Sequence, residues 1–186
     1  MENKTDISSY NNSWFNPGRG ALIRTLWYFV NAMVFNSYAF PFNGLKVFLL
    51  RLFGAKVGKA CIIKPNVNIK YPWFLKVGDY CWIGEKVWID NLIQVEIGNN
   101  VCLSQEAFLL CGNHDYKKTT FDLIVKPIVI SNGAWIGAKA IVCPGVIVKE
   151  HSVLAAASVA TKNLEAYGVY QGNPAVFVKG RIIIEK

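Results

Sequence analysis

The sequence predicts an all-β solenoid, a parallel β-helix with an N-terminal helical segment and a short C-terminal extension. Three observations predict it. An apolar anchor recurs every six residues across 57–160, at Val57, Ile63, Ile69, Val77, Ile83, Ile89, Ile97, Leu103, Leu109, Ile130, Ile136, Val142, Val148, Leu154 and Ala160. Six is neither a helical period nor a hairpin spacing; it is one short strand plus one turn. Five anchors are followed directly by glycine: Gly58, Gly78, Gly84, Gly98 and Gly137. Four residues after an anchor the side chain is repeatedly small or β-branched, as at Cys61, Val67, Cys81, Val87, Ala107, Ala134 and Ala140.

Residues 1–56 precede the repeat. The first twenty are mostly polar and show no secretory signal. Two helices are expected at 20–36 and 44–53, separated by the turn Pro41-Phe42-Asn43-Gly44. The second carries Leu45, Phe48, Leu49 and Leu52 at helical spacing, with Lys46 and Arg51 off that stripe. The polar interruptions leave no run of the roughly 20 apolar residues that a membrane span needs. Two roles fit the segment. It can cap the open end of the solenoid, which otherwise exposes unpaired strands, or pack on a neighbouring subunit. Alternatively, residues 20–53 can rest on a membrane surface through Leu26, Trp27, Tyr28, Phe29, Val34 and Phe35.

The repeat occupies 57–165. Three hexads make one triangular coil, so eighteen residues return the chain above its start. The steps from Val57 to Val77 and from Val77 to Ile97 are twenty, which places a two-residue corner insertion after the third anchor of each coil. Between Leu109 and Ile130 the register breaks, and residues 112–127 must leave the coil. A long excursion from a strict repeat is usually functional. Residues 166–186 form the C-terminal extension.

At 186 residues the chain is long enough for one substantial core. Five cysteines, an odd number, argue against a disulfide framework and fit a reducing cytoplasm. Cys61 and Cys81 hold equivalent places in consecutive coils, near enough to bridge, but are expected as small core fillers. The net charge of +8 comes without a recognition helix, zinc-finger spacing or stacking motif, so no nucleic acid is expected. The excess suits a polyanionic small molecule instead. Of two histidines, His114 lies in the extruded loop, and His151 sits at a turn where it should face solvent. Two histidines fall short of the three that the zinc sites of carbonic anhydrases on this fold use, and no metal is assigned.

Several motifs carry a resemblance. They are Cys111-Gly112-Asn113-His114-Asp115-Tyr116, Gly133-Ala134-Trp135-Ile136-Gly137-Ala138, Pro144-Gly145-Val146, Ala157-Ser158-Val159-Ala160-Thr161-Lys162, and Gly172-Asn173-Pro174-Ala175 before Arg181. Together they resemble the left-handed β-helix hexapeptide acyltransferases, most closely the colanic-acid-type O-acetyltransferases of polysaccharide biosynthesis. The resemblance is strong over 50–182. It implies left-handed coiling, which periodicity cannot supply and which runs against the usual crossover rule. It also implies acetyl-CoA as co-substrate and a cytoplasmic homotrimer with active sites between subunits. The expected acceptor is a small-molecule or lipid-linked saccharide.

The same resemblance assigns roles. His114 is the expected general base that takes the proton of an attacking sugar hydroxyl, a task suited to imidazole near neutral pH. Asp90 and Asn91, at the second corner insertion, either bind sugar hydroxyls, orient His114, or are plain turn residues. Asp115 can hold the histidine or the acceptor. A backbone N–H near Gly137 or Ala138 would receive the oxyanion. Small residues at Ala138 and Ala156 let pantetheine lie close to the coil. Thr161 and Lys162 meet the far end of the cofactor, and Arg181 is the expected phosphate partner. The alternative is a non-catalytic scaffold of a polysaccharide-assembly complex. Such a protein would have no reason to keep His114 together with Lys162 and Arg181.

Overall fold

Each hexad folds as a strand of two or three residues followed by a turn, and the strands stack by coil. The computed structural model describes residues 4–185; residues 1–3 and 186 of the two end segments lie outside them. After an arm with a 3-10 turn (Ile7–Ser9) come α1 (Ala21–Val30), continued by a π-helical turn (Asn31–Phe35), and α2 (Asn43–Leu52). The first coil is β1 (Lys56–Val57), β2 (Ile62–Ile63) and β3 (Asn68–Ile69). The second is β4 (Leu75–Val77), β5 (Trp82–Ile83) and β6 (Trp88–Asp90), and the third β7 (Val95–Ile97), β8 (Cys102–Leu103) and β9 (Phe108–Leu110). A hairpin, β10 (Gly112–His114) and β11 (Leu123–Val125), then leaves the coil. The fourth coil is β12 (Ile128–Ile130), β13 (Trp135–Ile136) and β14 (Ile141–Val142); the fifth is β15 (Ile147–Val148), β16 (Val153–Leu154) and β17 (Val159–Ala160). A bridge from Leu164 to Val148 starts a further turn, which ends in β18 (Gly168–Gly172) and β19 (Ala175–Gly180).

Three parallel faces result. The first stacks β1, β4, β7, β12 and β15; the second β2, β5, β8, β13, β16 and β18; the third β3, β6, β9, β14 and β17. All fifteen anchors point inward and are buried, and so are the small residues four positions on. The architecture is that of the left-handed hexapeptide β-helix. Cys61 and Cys81 fill the core as free thiols, donating to the carbonyls of Gly78 and Gly98 at 3.0 and 2.9 Å. Burial pushes the Cys81 thiol up to about 11, which keeps it protonated and inert.

The edge between the first and second faces is regular. The backbone N–H groups of Lys59, Asp79 and Asn99 donate to the side chains of Asp79, Asn99 and Asn132 in the next coil, at 2.9, 2.8 and 2.8 Å. Those side chains lie directly over Gly58, Gly78 and Gly98, where a Cβ would collide with them and with the backbone behind. This ladder explains the glycine after the anchor at Gly58, Gly78 and Gly98; Gly84 and Gly137, on the next edge, lie against the backbone of the following coil. His151 belongs to the same edge. It stacks on Tyr167 at 4.9 Å and packs over Gly133, so it is half-buried rather than simply facing solvent as expected.

The helical segment caps the coil by satisfying its first, unpaired strands. Arg51 donates to the Val57 and Gly58 carbonyls beside β1. Asn43 brackets β2, donating to Cys61 O at 2.8 Å and accepting from Ile63 N at 2.7 Å, while Lys46 donates to Lys64 O. Trp27 and Asn31 do the same for Ile69 on β3. The end of the sheet therefore demands donors and acceptors, and this reverses the expected facing of α2. Lys46 and Leu50 are fully buried, whereas Leu45, Phe48 and Leu52 point outward. Burial lowers the Lys46 ammonium below the usual lysine range.

Candidate active site

The edge between the third and first faces is where the repeat breaks. Its first insertion, after β3, carries Lys70, Tyr71 and a 3-10 turn (Pro72–Phe74). Its second, after β6, carries Asp90, Asn91 and Leu92. Its third is the β10–β11 hairpin, and further coils add Thr161 and Lys162 after β17. Each coil advances about 4.8 Å along the edge, so the groups form one ridge.

The hairpin pairs Gly112 with Val125 and His114 with Leu123. A Lys126 N–H bond to Cys111 O closes its base. The hexad pattern marked this segment only as an excursion. His114 is held from three sides. Its ring stacks flat on Phe121 at 4.4 Å, Tyr10 tilts against it at 5.8 Å, and Nδ1 lies 2.9 Å from the Phe121 carbonyl. A carbonyl can only accept, so Nδ1 carries the proton and Nε2 of the neutral ring presents its lone pair. His114 lines a cleft of about 540 Å³ with Tyr10, Arg24, Lys70, Tyr71 and Leu92.

The other acceptor-side candidates divide. Asp90 ends β6 beside Gly112. Desolvation raises its carboxyl above the usual range, against a smaller opposing pull from the Lys70 charge. Asn91 is fully buried, and its amide brackets the Tyr71 backbone at 3.1 and 2.6 Å, so it holds the corner and does not face the cleft. Asp115 lies at the hairpin tip, where its carboxylate accepts from Lys117 N, while the Phe121 carbonyl and not Asp115 is the partner of His114 Nδ1.

The cofactor candidates fall on three different edges. Thr161 and Lys162 share the ridge with the hairpin and are exposed. Ala138 and Ala156 lie on the edge between the second and third faces. There the Gly137 N–H is taken by Leu154 O, whereas the Ala138 N–H has no hydrogen-bond partner among the described residues. Arg181 lies on the regular edge, and its guanidinium donates to Gly133 O and His151 O at 3.0 and 3.1 Å. A single subunit does not bring Arg181, Ala138 and Lys162 together. Among the described residues, no group of His, Cys, Asp or Glu could hold a metal ion.

Sequence reasoning missed the N-terminal arm. The Asp6 N–H donates to Thr119 O on the hairpin, and Tyr10 reaches His114. It also missed Arg24, Lys70 and Tyr71. Lys70 and Tyr71 occupy the same corner positions, one coil earlier, as Asp90 and Asn91. Aligning the coils would have found them; nothing in the hexad pattern reports the arm.

No family profile matches the sequence. The colanic acid biosynthesis acetyltransferase WcaF of Escherichia coli (strain K12) is 37% identical over 180 residues, covering 97% of this chain and 99% of that protein. The galactoside O-acetyltransferase of the same strain is 26% identical over 134 residues, covering 70% of this chain and 66% of its own. A hexapeptide-repeat acetyltransferase of Vibrio cholerae, solved with acetyl coenzyme A, superposes with a TM-score of 0.78 at 22% identity, over 87% of this chain and 88% of the other. A maltose O-acetyltransferase from Clostridium difficile 630 gives a TM-score of 0.73 at 22% identity, over 88% and 90%. With identity at that level along nearly the whole of both sequences, the chain belongs to the WcaF-type family of hexapeptide-repeat acetyltransferases.

Proposed function

We propose that this acetyltransferase moves the acetyl group of acetyl-CoA to a sugar hydroxyl in exopolysaccharide or capsule biosynthesis, with His114 as general base. The observation that carries the reading is the 2.9 Å contact of His114 Nδ1 with the Phe121 carbonyl: in the neutral ring it puts the proton on Nδ1 and leaves Nε2 to accept a proton at the cleft. The sugar hydroxyl gives its proton to Nε2 as its oxygen attacks the thioester carbonyl. The C–S bond then breaks, and the imidazolium returns the proton to the departing CoA sulfur. A positioned base of this kind contributes about 10²–10⁴-fold. The unpartnered Ala138 N–H is the donor suited to the oxyanion. Asp90, which does not itself line the cleft, would meet the acceptor at its margin, beside Gly112.

A homotrimer explains why the candidates occupy three edges. The outward residues of the second face form an apolar ladder, Ile62, Trp82, Cys102 and Trp135, continued by Val169 past the already covered Val153. The third face presents Trp88 stacked on Phe108 at 4.6 Å, then Ile141 and Val159. The first face is charged over its first three coils, with Lys56 and a Lys76–Glu96 ion pair at 2.7 Å, and turns apolar only at Val129 and Ile147. Turning the second face of one subunit toward the third face of the next buries the apolar pair in a head-to-tail contact that closes after three copies. It also sets the regular edge of one subunit, with Arg181, alongside the His114 and Lys162 edge of its neighbour. The small-residue edges, with Ala138 and Ala156, line the inner end of the same cleft. Acetyl-CoA would lie there, with Thr161 and Lys162 toward its phosphates.

The capping helices suit an anionic membrane surface in the cytoplasm, where lipid-linked saccharides are assembled. Among the described residues no helix is long and apolar enough to cross a membrane. Yet Leu22, Leu26, Tyr28, Phe29, Met33, Phe48 and Leu52 are exposed. Residues 7–78 hold nine Lys and Arg and no Asp or Glu, against eleven basic and twelve acidic residues elsewhere. A second copy docking here would oppose like charges, whereas an anionic bilayer offers both apolar depth and counter-charge. Co-sedimentation should occur with anionic vesicles and not with zwitterionic ones.

The test of the function is mass spectrometry of the cell-surface polysaccharide with and without this gene. Loss of an acetyl group supports the reading. An unchanged polysaccharide, with the protein normally present, would favour a scaffold.

A further inference from the structure

The His114 cleft does not end at the histidine. A second cleft of about 400 Å³ lies at the base of the cap, lined by Trp27, Tyr28, Asn31 and Trp88, and it shares Arg24, Lys70 and Tyr71 with the first. Arg24 and Lys70 therefore stand where the two clefts meet. Neither cleft is lined by a carboxylate. Neither cation belongs to an ion pair, although Asp90 feels the Lys70 charge. Arg24 Nε is buried and has no hydrogen-bond partner, the one side-chain nitrogen or oxygen in that state among the described residues. The other structured arginines at the cap and the coil end differ: the Arg51 and Arg181 guanidinia are engaged by backbone carbonyls.

A guanidinium whose Nε is buried and unpartnered, lining the same clefts as an ammonium and with no carboxylate among the lining residues, is a site for a phosphoryl group. We propose that Arg24 and Lys70 bind the phosphate or diphosphate of the acceptor, so that the substrate is a glycosyl diphosphate rather than a free sugar. This rests on the proposed acetyl transfer to a saccharide. The diphosphate sits at the junction, the sugar extends toward His114, and the carrier group leaves along the cap cleft past the exposed Tyr28. That carrier is a nucleoside or an isoprenoid lipid; the cations read the chemistry the two share.

The test is calorimetric titration of the intact protein with inorganic pyrophosphate in the presence of saturating CoA, which fills the cofactor's own phosphate sites. The wild type should bind. Arg24→Gln and Lys70→Gln should each weaken binding roughly tenfold or more, as loss of a charge-assisted hydrogen bond does. Lys76→Gln, a cation exposed on the first face, should leave it unchanged. Arg24→Lys should retain part of the binding, and thermal melting separates lost binding from lost folding. UDP-glucose and farnesyl diphosphate, titrated in turn, identify the carrier by which binds more tightly than pyrophosphate. Binding abolished by CoA, or equal in wild type, Arg24→Gln and Lys70→Gln, would overturn the proposal. The readout involves no acetyl transfer. Pyrophosphate binding at these residues in a protein whose loss leaves surface acetylation intact would therefore count against the proposed reaction, not against the anion site.

Discussion

Two edges of the same coil are built from the same hexads and do opposite things. The edge between the first and second faces repeats without interruption: glycine, then an Asx side chain bonding back to the coil before it. The edge between the third and first faces is interrupted in each of the first three coils. Those interruptions carry Lys70, Asp90 and the His114 hairpin. The regular edge has almost no room to change, because backbones approach too closely to admit a Cβ. The interrupted edge has lost that constraint and can present side chains in directions the coil does not set. Over the first three coils, stability therefore concentrates on one edge and the acceptor-side candidates on the other.

Substitutions should separate the two. The largest effect on folding is expected at Gly78→Ala. Its Cβ would meet the Asn99 side chain and the Gly98 backbone, costing about 3 kcal/mol, the upper range for overpacking. Urea unfolding measures this, and acetyl transfer per folded molecule should be unchanged. Asn99→Ala removes only the acceptor for the Asp79 N–H and should cost about 1 kcal/mol, again without touching activity.

On the interrupted edge the signs reverse. Desolvation raises the Asp90 carboxyl in the folded protein, so the folded state holds this proton at a pH where the unfolded chain has released it. Asp90 thus removes stability as pH rises from the ordinary carboxylate range to its raised value, and the loss remains at neutral pH. Asp90→Asn should abolish that fall and leave the protein slightly more stable at pH 7. It should also lower acetyl transfer about tenfold if the carboxylate bonds the acceptor. Equal losses of stability and activity at both edges would break the comparison.

The sequence made the regular parts legible because burial inside a coil is periodic. Anchors, small positions, corner insertions and the excursion at 112–127 all follow from counting residues. Periodicity does not report what happens where the repeat stops. At the open end of the coil, unpaired strands require polar partners, so Lys46 turned inward and the apolar stripe of α2 turned outward. Asn91 is consumed by the Tyr71 backbone, which its polar character alone could not reveal. The N-terminal arm returns to His114 through contacts at long sequence separation, with no local signature. Arg181 lies on the regular edge of one subunit, so its expected place beside the cofactor depends on the proposed trimer.

The most direct test is complementation of a strain lacking this gene by the His114→Ala variant, read as the acetyl content of its surface polysaccharide. The hairpin lies outside the coil, so the variant should fold, accumulate at the wild-type level and still bind acetyl-CoA. The account predicts that it restores essentially no acetylation, matching the loss of about two to four decades in rate. Restoration to wild-type acetyl content by the His114→Ala protein would contradict the account, because the attacking hydroxyl would then lose its proton without His114.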